Sequence, residues 1–461
     1  MAKHPRMVTL FSVECGPYFD WQTVGLMHSY RCVCVEGRRS RQPGPITRLL
    51  SCTEEQLKDY PNMDLAPTHT IIPRVCTHLS SLMLCLPPLL FSLARRSKQP
   101  GPITRLLSCT EEQLKEYPNM DLAPTHTVPS MSLDPKTGEW YPAINKPYGV
   151  WHWVQHSPQA QQAEWVVILD ADMVIRAPVT PWGVKAEKGK PVAAYYGYLI
   201  GCDNILAELH TKHPELCPKV GGFIVMHIDD LRRFAPLWLS KTQEVRADKA
   251  HYARNITGDV YSSGWISEMY GYSFGAADAE LQHQVDQTTM LYPGYTPTPG
   301  VDPRLLHYGL AFSVGNWSFG KSQHRTDKIV NECNRLFDPP PFPSEIIELD
   351  KEKKRGLLLS IECVNTLNEG LIIHHATHGC PNPAPSPYRS MLLASIQSSL
   401  GPAAFGPTVS SRPDGGMLRG EGVRATAVAA AAAAAAAAVA AVAATAAAAV
   451  MGVQAGEGQE A

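Results

Sequence analysis

Two carboxylates separated by one small residue, Asp170 and Asp172, close the apolar run Val166-Val167-Ile168-Leu169. Side chains two positions apart on an extended strand point to the same side, so both acids can face one cation. Hard divalent ions take carboxylate oxygens, and Mg²⁺ or Mn²⁺ commonly bridges one or two carboxylates to substrate phosphates. An aspartate at a strand end can instead cap the helix that follows. The apolar strand in front of this pair favours the metal reading. His307, in Leu305-Leu306-His307-Tyr308-Gly309, is the candidate third ligand, although a lone histidine is equally well a structural one. Gly309 would let the backbone approach a diphosphate, and Lys321 would neutralise the same phosphates as a point charge.

Glu268 lies in Ser263-Gly264-Trp265-Ile266-Ser267-Glu268-Met269-Tyr270. An aromatic ring such as Trp265 can stack on a sugar face while a nearby carboxylate orients hydroxyls or takes an acceptor proton. The competing reading is an ordinary core helix, since Trp265 and Met269 stand four apart. Lys146, next to Asn145 at a helix start, is placed to meet an anion. His152 and His156 stand four apart without the glutamate of an H-E-x-x-H site, which argues against a metalloprotease. No G-x-S-x-G, G-x-x-x-x-G-K-[ST] or G-x-G-x-x-G occurs, so hydrolase, P-loop and dinucleotide-binding readings fall away.

The elements that must position these residues alternate. A strand over Val8–Val13 leads through Gly16-Pro17 into an apolar helix, and a strand over residues 102–107 into a short helix, Glu111–Tyr117. Pro147 marks a helix start, the aspartate strand follows, and Gly221–Met226 is a further strand before a helix with Asp229 and Asp230 in its first turn. Strands alternating with helices predict a doubly wound α/β sheet, with the acids at its carboxyl edge.

The 461 residues are 44% hydrophobic, enough for a large α/β core, and the formal charge of -2 carries no field argument. No basic run with interleaved aromatics occurs, which argues against a nucleic-acid partner. Twelve cysteines without CxxC spacing disfavour a zinc ribbon. Sequons at Asn255 and Asn316 lean toward the secretory pathway, where disulfides form. The first residues lack the apolar core of a signal peptide, so a lumenal protein would have lost its leader in this sequence.

Residues 38–70 and 95–127 are near-identical copies, differing only at Arg41/Lys98 and Asp59/Glu116. Two such copies fit a duplicated exon better than a solenoid, which needs at least three diverged units. The stretch between them is long enough and uncharged enough to span a bilayer, but a span there would separate two strands of one sheet, so it reads as an insertion. The second copy runs directly into the following elements and is expected to be the one in the fold. We expect a catalytic domain over 1–340 interrupted at 31–97, a helical extension over 341–397, and a low-complexity tail over 398–461. The tail's alanine tract would be at best a weak membrane anchor.

The strings TLFSVECGPYFDWQTVGLMHS, QPGPITRLLSC, YPAINKP, WVVILDADM, VGGFIVMHIDDLRR, WISEMYGYSFG and LLHYGL resemble the peptidyl serine α-galactosyltransferases of plants and green algae. The related hydroxyproline O-arabinosyltransferases share a looser version of two of these segments. The resemblance implies a GT-A glycosyltransferase fold, a doubly wound Rossmann-like mixed sheet flanked by helices. It also implies UDP-galactose as donor, Mn²⁺ (or Mg²⁺) as cofactor and serine in extensin-type, hydroxyproline-rich proteins as acceptor, with retention of configuration. By the same resemblance, Asp170, Asp172 and His307 hold the metal. The first strand lines the uridine site through Thr9, Phe11, Ser12 and Glu14, and Gly221 and Gly222 face the acceptor and sugar. Glu268 positions the acceptor or binds the sugar rather than serving as a nucleophile. The location implied is the endoplasmic reticulum or Golgi, lumenal or membrane-associated. Arabinose transfer to hydroxyproline, or a binding-only protein, are the alternatives.

Overall fold

The computed structural model describes residues 6–36, 48–50, 68–70, 99, 101–333 and 335–380. The chain divides into units Met1–Leu400 and Gly401–Ala461, and the second, with the alanine tract, lies outside the described residues. So does the apolar stretch between the two copies of the repeat.

A seven-stranded mixed sheet forms the centre. Its strands are β1 (Met7–Glu14), β2 (Ile103–Cys109), β3 (Thr125–Pro129), β4 (Trp165–Asp170), β6 (Val192–Tyr195), β7 (Val220–His227) and β8 (Gln284–Asp286), in the order β8-β6-β7-β4-β1-β2-β3. All are parallel except β7, which runs antiparallel to both neighbours. The carboxyl ends of β1, β4, β6 and β8 therefore share one edge, the usual place for chemistry in such a sheet. A second sheet joins β5 (Met173–Ile175), β9 (Met290–Leu291) and β10 (Leu305–His307) beside that edge.

Both faces of the sheet are covered, which explains why its strands read as unbroken apolar runs. On one face lie α2 (Asn145–His156), α3 (Ile228–Ala247) and α4 (Ser267–Asp278), with Val150, Trp153, Phe234, Trp238 and Tyr272 packed on Leu10, Leu106 and Ile168. On the other lies α1 (Pro17–Glu36), with Leu26 and Met27 against Phe11, Leu107 and Leu169. Beyond it α5 (Lys351–Thr377) packs Leu359, Cys363, Val364 and Leu367 against Trp21 and Val24 of α1. Among the described residues α5 alone is long and apolar enough to cross a membrane by length and composition, and much of it is buried in this core.

The second copy of the repeat supplies β2 and β3. Gln99 anchors its start by exchanging two 2.8 Å hydrogen bonds with the backbone of Val179. Arg105 is fully buried, donating to the carbonyls of Asn119 and Met120 at 3.0 Å. Arg48–Leu50 and Thr68–Thr70 of the first copy pair in the same register, Arg48 with Thr68 as Arg105 with Thr125, but as a separate two-stranded sheet. The short helix after β2 spans Glu111–Glu116 and starts with a Thr110 capping box.

Candidate functional site

Asp170 ends β4, and the turn Ala171-Asp172 leads directly into β5. His307 ends β10, whose ladder sets it opposite Met173, while the Tyr308 amide donates to the Asp172 carbonyl at 3.1 Å. Backbone pairing thus brings a histidine more than a hundred residues away onto the two acids. One ligand atom from each of Asp170, Asp172 and His307 lies within 4.8 Å of the others. The His307 Nε2 stands 3.2 Å from Asp172 Oδ1 and 3.7 Å from Asp170 Oδ2. Two carboxylates and an imidazole converging this closely fit a hard or borderline divalent ion. Gly309 serves the histidine: a Cβ there would stand 2.8 Å from Nε2, against the ring edge that faces the acids.

Each acid also carries a lysine. Lys146 Nζ donates to Asp170 Oδ1 at 2.6 Å, and Lys321 Nζ donates to Asp172 Oδ2. Burial by itself would raise the Asp172 carboxyl, but the Lys321 ammonium and His307 outweigh it and hold the group well below the usual carboxylate range. Burial would likewise lower both lysines, and the facing carboxylates instead raise them. The two ammoniums balance the two carboxylates, and a divalent ion held there would make the site net positive, suited to a polyanion such as a diphosphate.

Glu268 opens α4 and is 7% exposed. Its carboxyl is pushed up to about 7 by burial, with Lys146 opposing and Asp170 reinforcing the shift. A carboxylate with that value can exchange a proton near neutral pH. Trp238 Nε1 donates to the Glu268 carbonyl at 3.2 Å, and the Glu268 amide donates to the Tyr141 hydroxyl at 2.8 Å. Trp265, just before the helix, is about half exposed and meets the Tyr141 ring edge-on at 6.0 Å.

On β1, Ser12 sits beside Asp170 in the parallel register and faces Gly149 of α2. Glu14 is occupied structurally: it accepts from Asn145 Nδ2 at 2.6 Å and Ser132 Oγ at 3.0 Å, fixing the start of α2. Asn145 Oδ1 in turn accepts the Met131 amide at 2.7 Å. Burial raises the Glu14 carboxyl against the pull of those two donors. A disulfide, Cys15–Cys109, ties the ends of β1 and β2 next to it.

One expectation is corrected. Thr9 and Phe11 have no exposed surface; they alternate with Ser12 and Glu14 and point into the core under α1, so they line no ligand surface. Gly221 and Gly222 seat a tyrosine. A Cβ at Gly221 would lie 2.2 Å from the Tyr196 ring, and one at Gly222, whose φ is +64°, 3.0 Å from its hydroxyl. The pairing of β6 with β7 shifts register between Ala193 and Ala194, shortly before that tyrosine.

That tyrosine belongs to a group that spacing along the chain does not reveal. Tyr196 neighbours Tyr292, which lies on the His307 ring at 4.8 Å between centroids. Tyr198 lies 5.2 Å from Tyr196 and donates to Met269 Sδ at 3.1 Å. Burial raises all three phenols, so they act here as neutral donors and walls.

Residues 93–285 match the Hydroxyproline O-arabinosyltransferase family N-terminal domain. The chain is 54% identical over 389 residues to a peptidyl serine α-galactosyltransferase of Arabidopsis thaliana, covering 84% of this chain and 40% of that one. A protein of the same name from Chlamydomonas reinhardtii is 35% identical over 62% of this chain and 43% of its own. Hydroxyproline O-arabinosyltransferase 3 of Arabidopsis thaliana is 24% identical over half of this chain and 64% of its own. The chain therefore spans about two fifths of the length of the first two relatives. It belongs to the family that contains the peptidyl serine α-galactosyltransferases and is related, more distantly, to the hydroxyproline O-arabinosyltransferases.

Proposed function

We propose that this chain carries the GT-A catalytic domain of a glycosyltransferase that moves galactose from UDP-galactose to serine hydroxyls of hydroxyproline-rich proteins, with retention. The observation that carries the reading is the convergence of Asp170, Asp172 and His307 at the carboxyl edge of the sheet, each acid flanked by a lysine. These three residues would hold Mn²⁺ or Mg²⁺, which when bound supplies charge neutralisation for a departing diphosphate. Lys146 and Lys321 border the same place and would bind phosphate oxygens. Ser12, beside Asp170, would lie along the nucleotide. Glu268 would orient the acceptor hydroxyl and take up its proton at neutral pH, and Trp265 would offer a ring face to a sugar.

Two further disulfides, Cys202–Cys217 and Cys333–Cys380, support an oxidising compartment, and both sequon asparagines, Asn255 and Asn316, are exposed. The proposed location is accordingly the endoplasmic reticulum or Golgi.

The test offers a serine-hydroxyproline repeat peptide with UDP-galactose and UDP-arabinofuranose separately. Galactose on serine is the expected product. Arabinose on hydroxyproline would move the chain to its more distant relatives, and no transfer by folded protein would contradict an enzymatic role.

A further inference from the structure

Next to the metal-ligand group a separate cleft of about 260 Å³ opens at the carboxyl ends of β6 and β8. Its lining includes Tyr195, Asp286, Met290, Tyr292, Tyr295 and Pro297. Tyr292 is the shared wall, one side on the His307 ring and the other in the cleft. Tyr195 and Tyr295 are about half exposed, at 48% and 57%, although neither takes part in the charged site.

The cleft is built rather than incidental. The segment holding Tyr295 is tied to α5: the Gly294 amide donates to Ser360 Oγ at 2.8 Å, and Arg355 donates to the carbonyls of Thr298 and Val301 at 2.6 and 2.7 Å. Gly356 allows this approach, since a Cβ there would stand 2.5 Å from the Tyr295 carbonyl oxygen. On the opposite wall Asp286 accepts the amides of Thr288 and Thr289 at 2.8 and 2.6 Å and fixes its turn. Rings held open in a fixed frame form a preorganised binding surface.

We infer that this cleft is the acceptor subsite for the polypeptide flanking the target serine, binding it as an extended, imino-acid-rich strand against Tyr195 and Tyr295. The inference rests on the proposed function and adds to it where the acceptor lies. The relatives bear the names of enzymes acting on peptidyl serine and on hydroxyproline, so the acceptor class is a polypeptide carrying such residues. Chains rich in imino acids hold a polyproline II shape and dock on tyrosine-lined grooves through flat pyrrolidine-to-ring contacts. The charged site occupies the β1–β4 half of the edge, which leaves the β6–β8 half, with Tyr292 at the boundary, for the other substrate.

The experiment measures fluorescence anisotropy of a labelled serine-hydroxyproline repeat peptide titrated with the full chain, without donor. The wild type, Tyr195→Ala/Tyr295→Ala, Tyr195→Phe/Tyr295→Phe and a control peptide with alanine in place of hydroxyproline are compared. The alanine pair is expected to weaken binding about tenfold, and the phenylalanine pair to retain it. In turnover the alanine pair raises KM for the peptide and leaves KM for UDP-galactose unchanged. Equal affinity of wild type and alanine pair, or of the two peptides, overturns the subsite while leaving the galactosyltransferase reading intact. No binding of the peptide by the wild type would take down the acceptor class and the subsite together.

Discussion

The carboxyl edge of the sheet has two unlike halves. Around β4 and β1 the side chains are ionic and mutually neutralised: Asp170 with Lys146, Asp172 with Lys321, and His307 between the acids. Around β6 and β8 they are tyrosines, with Tyr196 seated by two glycines and Tyr292 leaning on the histidine. The ionic half is specified by short motifs, a D-x-D after a strand and an H-x-G on a partner strand. The aromatic half is specified by packing, through a register shift, two missing side chains and a loop pinned to α5. The two halves should therefore fail differently when altered.

The largest effect is expected in the ionic half. Asp172→Asn removes a buried charge on which Lys321 and His307 both depend, and is expected to lower the rate of transfer by about 10²- to 10³-fold. The variant's rate under saturating metal checks this. Glu268→Gln comes next, with a loss of about a hundredfold in kcat if the carboxylate takes the acceptor proton. Because burial raises this group to about 7, wild-type turnover should fall as pH drops through that value, and the pH-rate profile of the glutamine variant should lack that limb.

Gly221→Ala sharpens the comparison from the other side. The new methyl would meet the Tyr196 ring at 2.2 Å, a clash expected to cost about 1–3 kcal/mol of stability and to displace the tyrosine wall. Denaturant unfolding measures the stability loss; peptide affinity should fall while Mn²⁺ affinity is nearly unchanged. The smallest effect lies away from the edge. His126 Nε2 and His152 Nδ1 are 3.0 Å apart between β3 and α2, and burial together with His152 and His156 lowers His126 to about 4. The folded state therefore favours the neutral ring, so this contribution is complete above about pH 6.5 and is lost as pH falls toward 4. Unfolding midpoints of His126→Gln should vary less with pH across that window than those of the wild type.

The same contrast explains what could be read from the chain. β1 was expected over Val8–Val13 and spans Met7–Glu14, because a long apolar run bounded by Gly16-Pro17 leaves little choice. The two aspartates stood out because they follow an apolar strand, whereas His307 was only a candidate from its own motif, and it is the β10–β5 ladder that sets it beside them. Which residues of β1 face which layer was not legible: with both faces buried the strand shows no polar alternation, and Thr9 and Phe11 fell on the core side. The tyrosines at 195, 196, 198, 292 and 295 were equally hidden, since the register shift and the loop beside them leave no periodic trace. The repeat shows how far local sequence reaches. Both copies form the same strand pair in the same register, and the second also lies in the main sheet, where β1, Gln99 and the Cys15–Cys109 disulfide hold it.

The central claim is that Asp170, Asp172 and His307 form a metal-diphosphate site. The most direct test is Mn²⁺ binding followed by electron paramagnetic resonance, on wild type and Asp172→Asn, with and without UDP. The account predicts one wild-type site that tightens when UDP is present and is lost, or weakened at least about tenfold, in the variant. Equal Mn²⁺ binding by the two proteins, or wild-type binding indifferent to UDP, would contradict it.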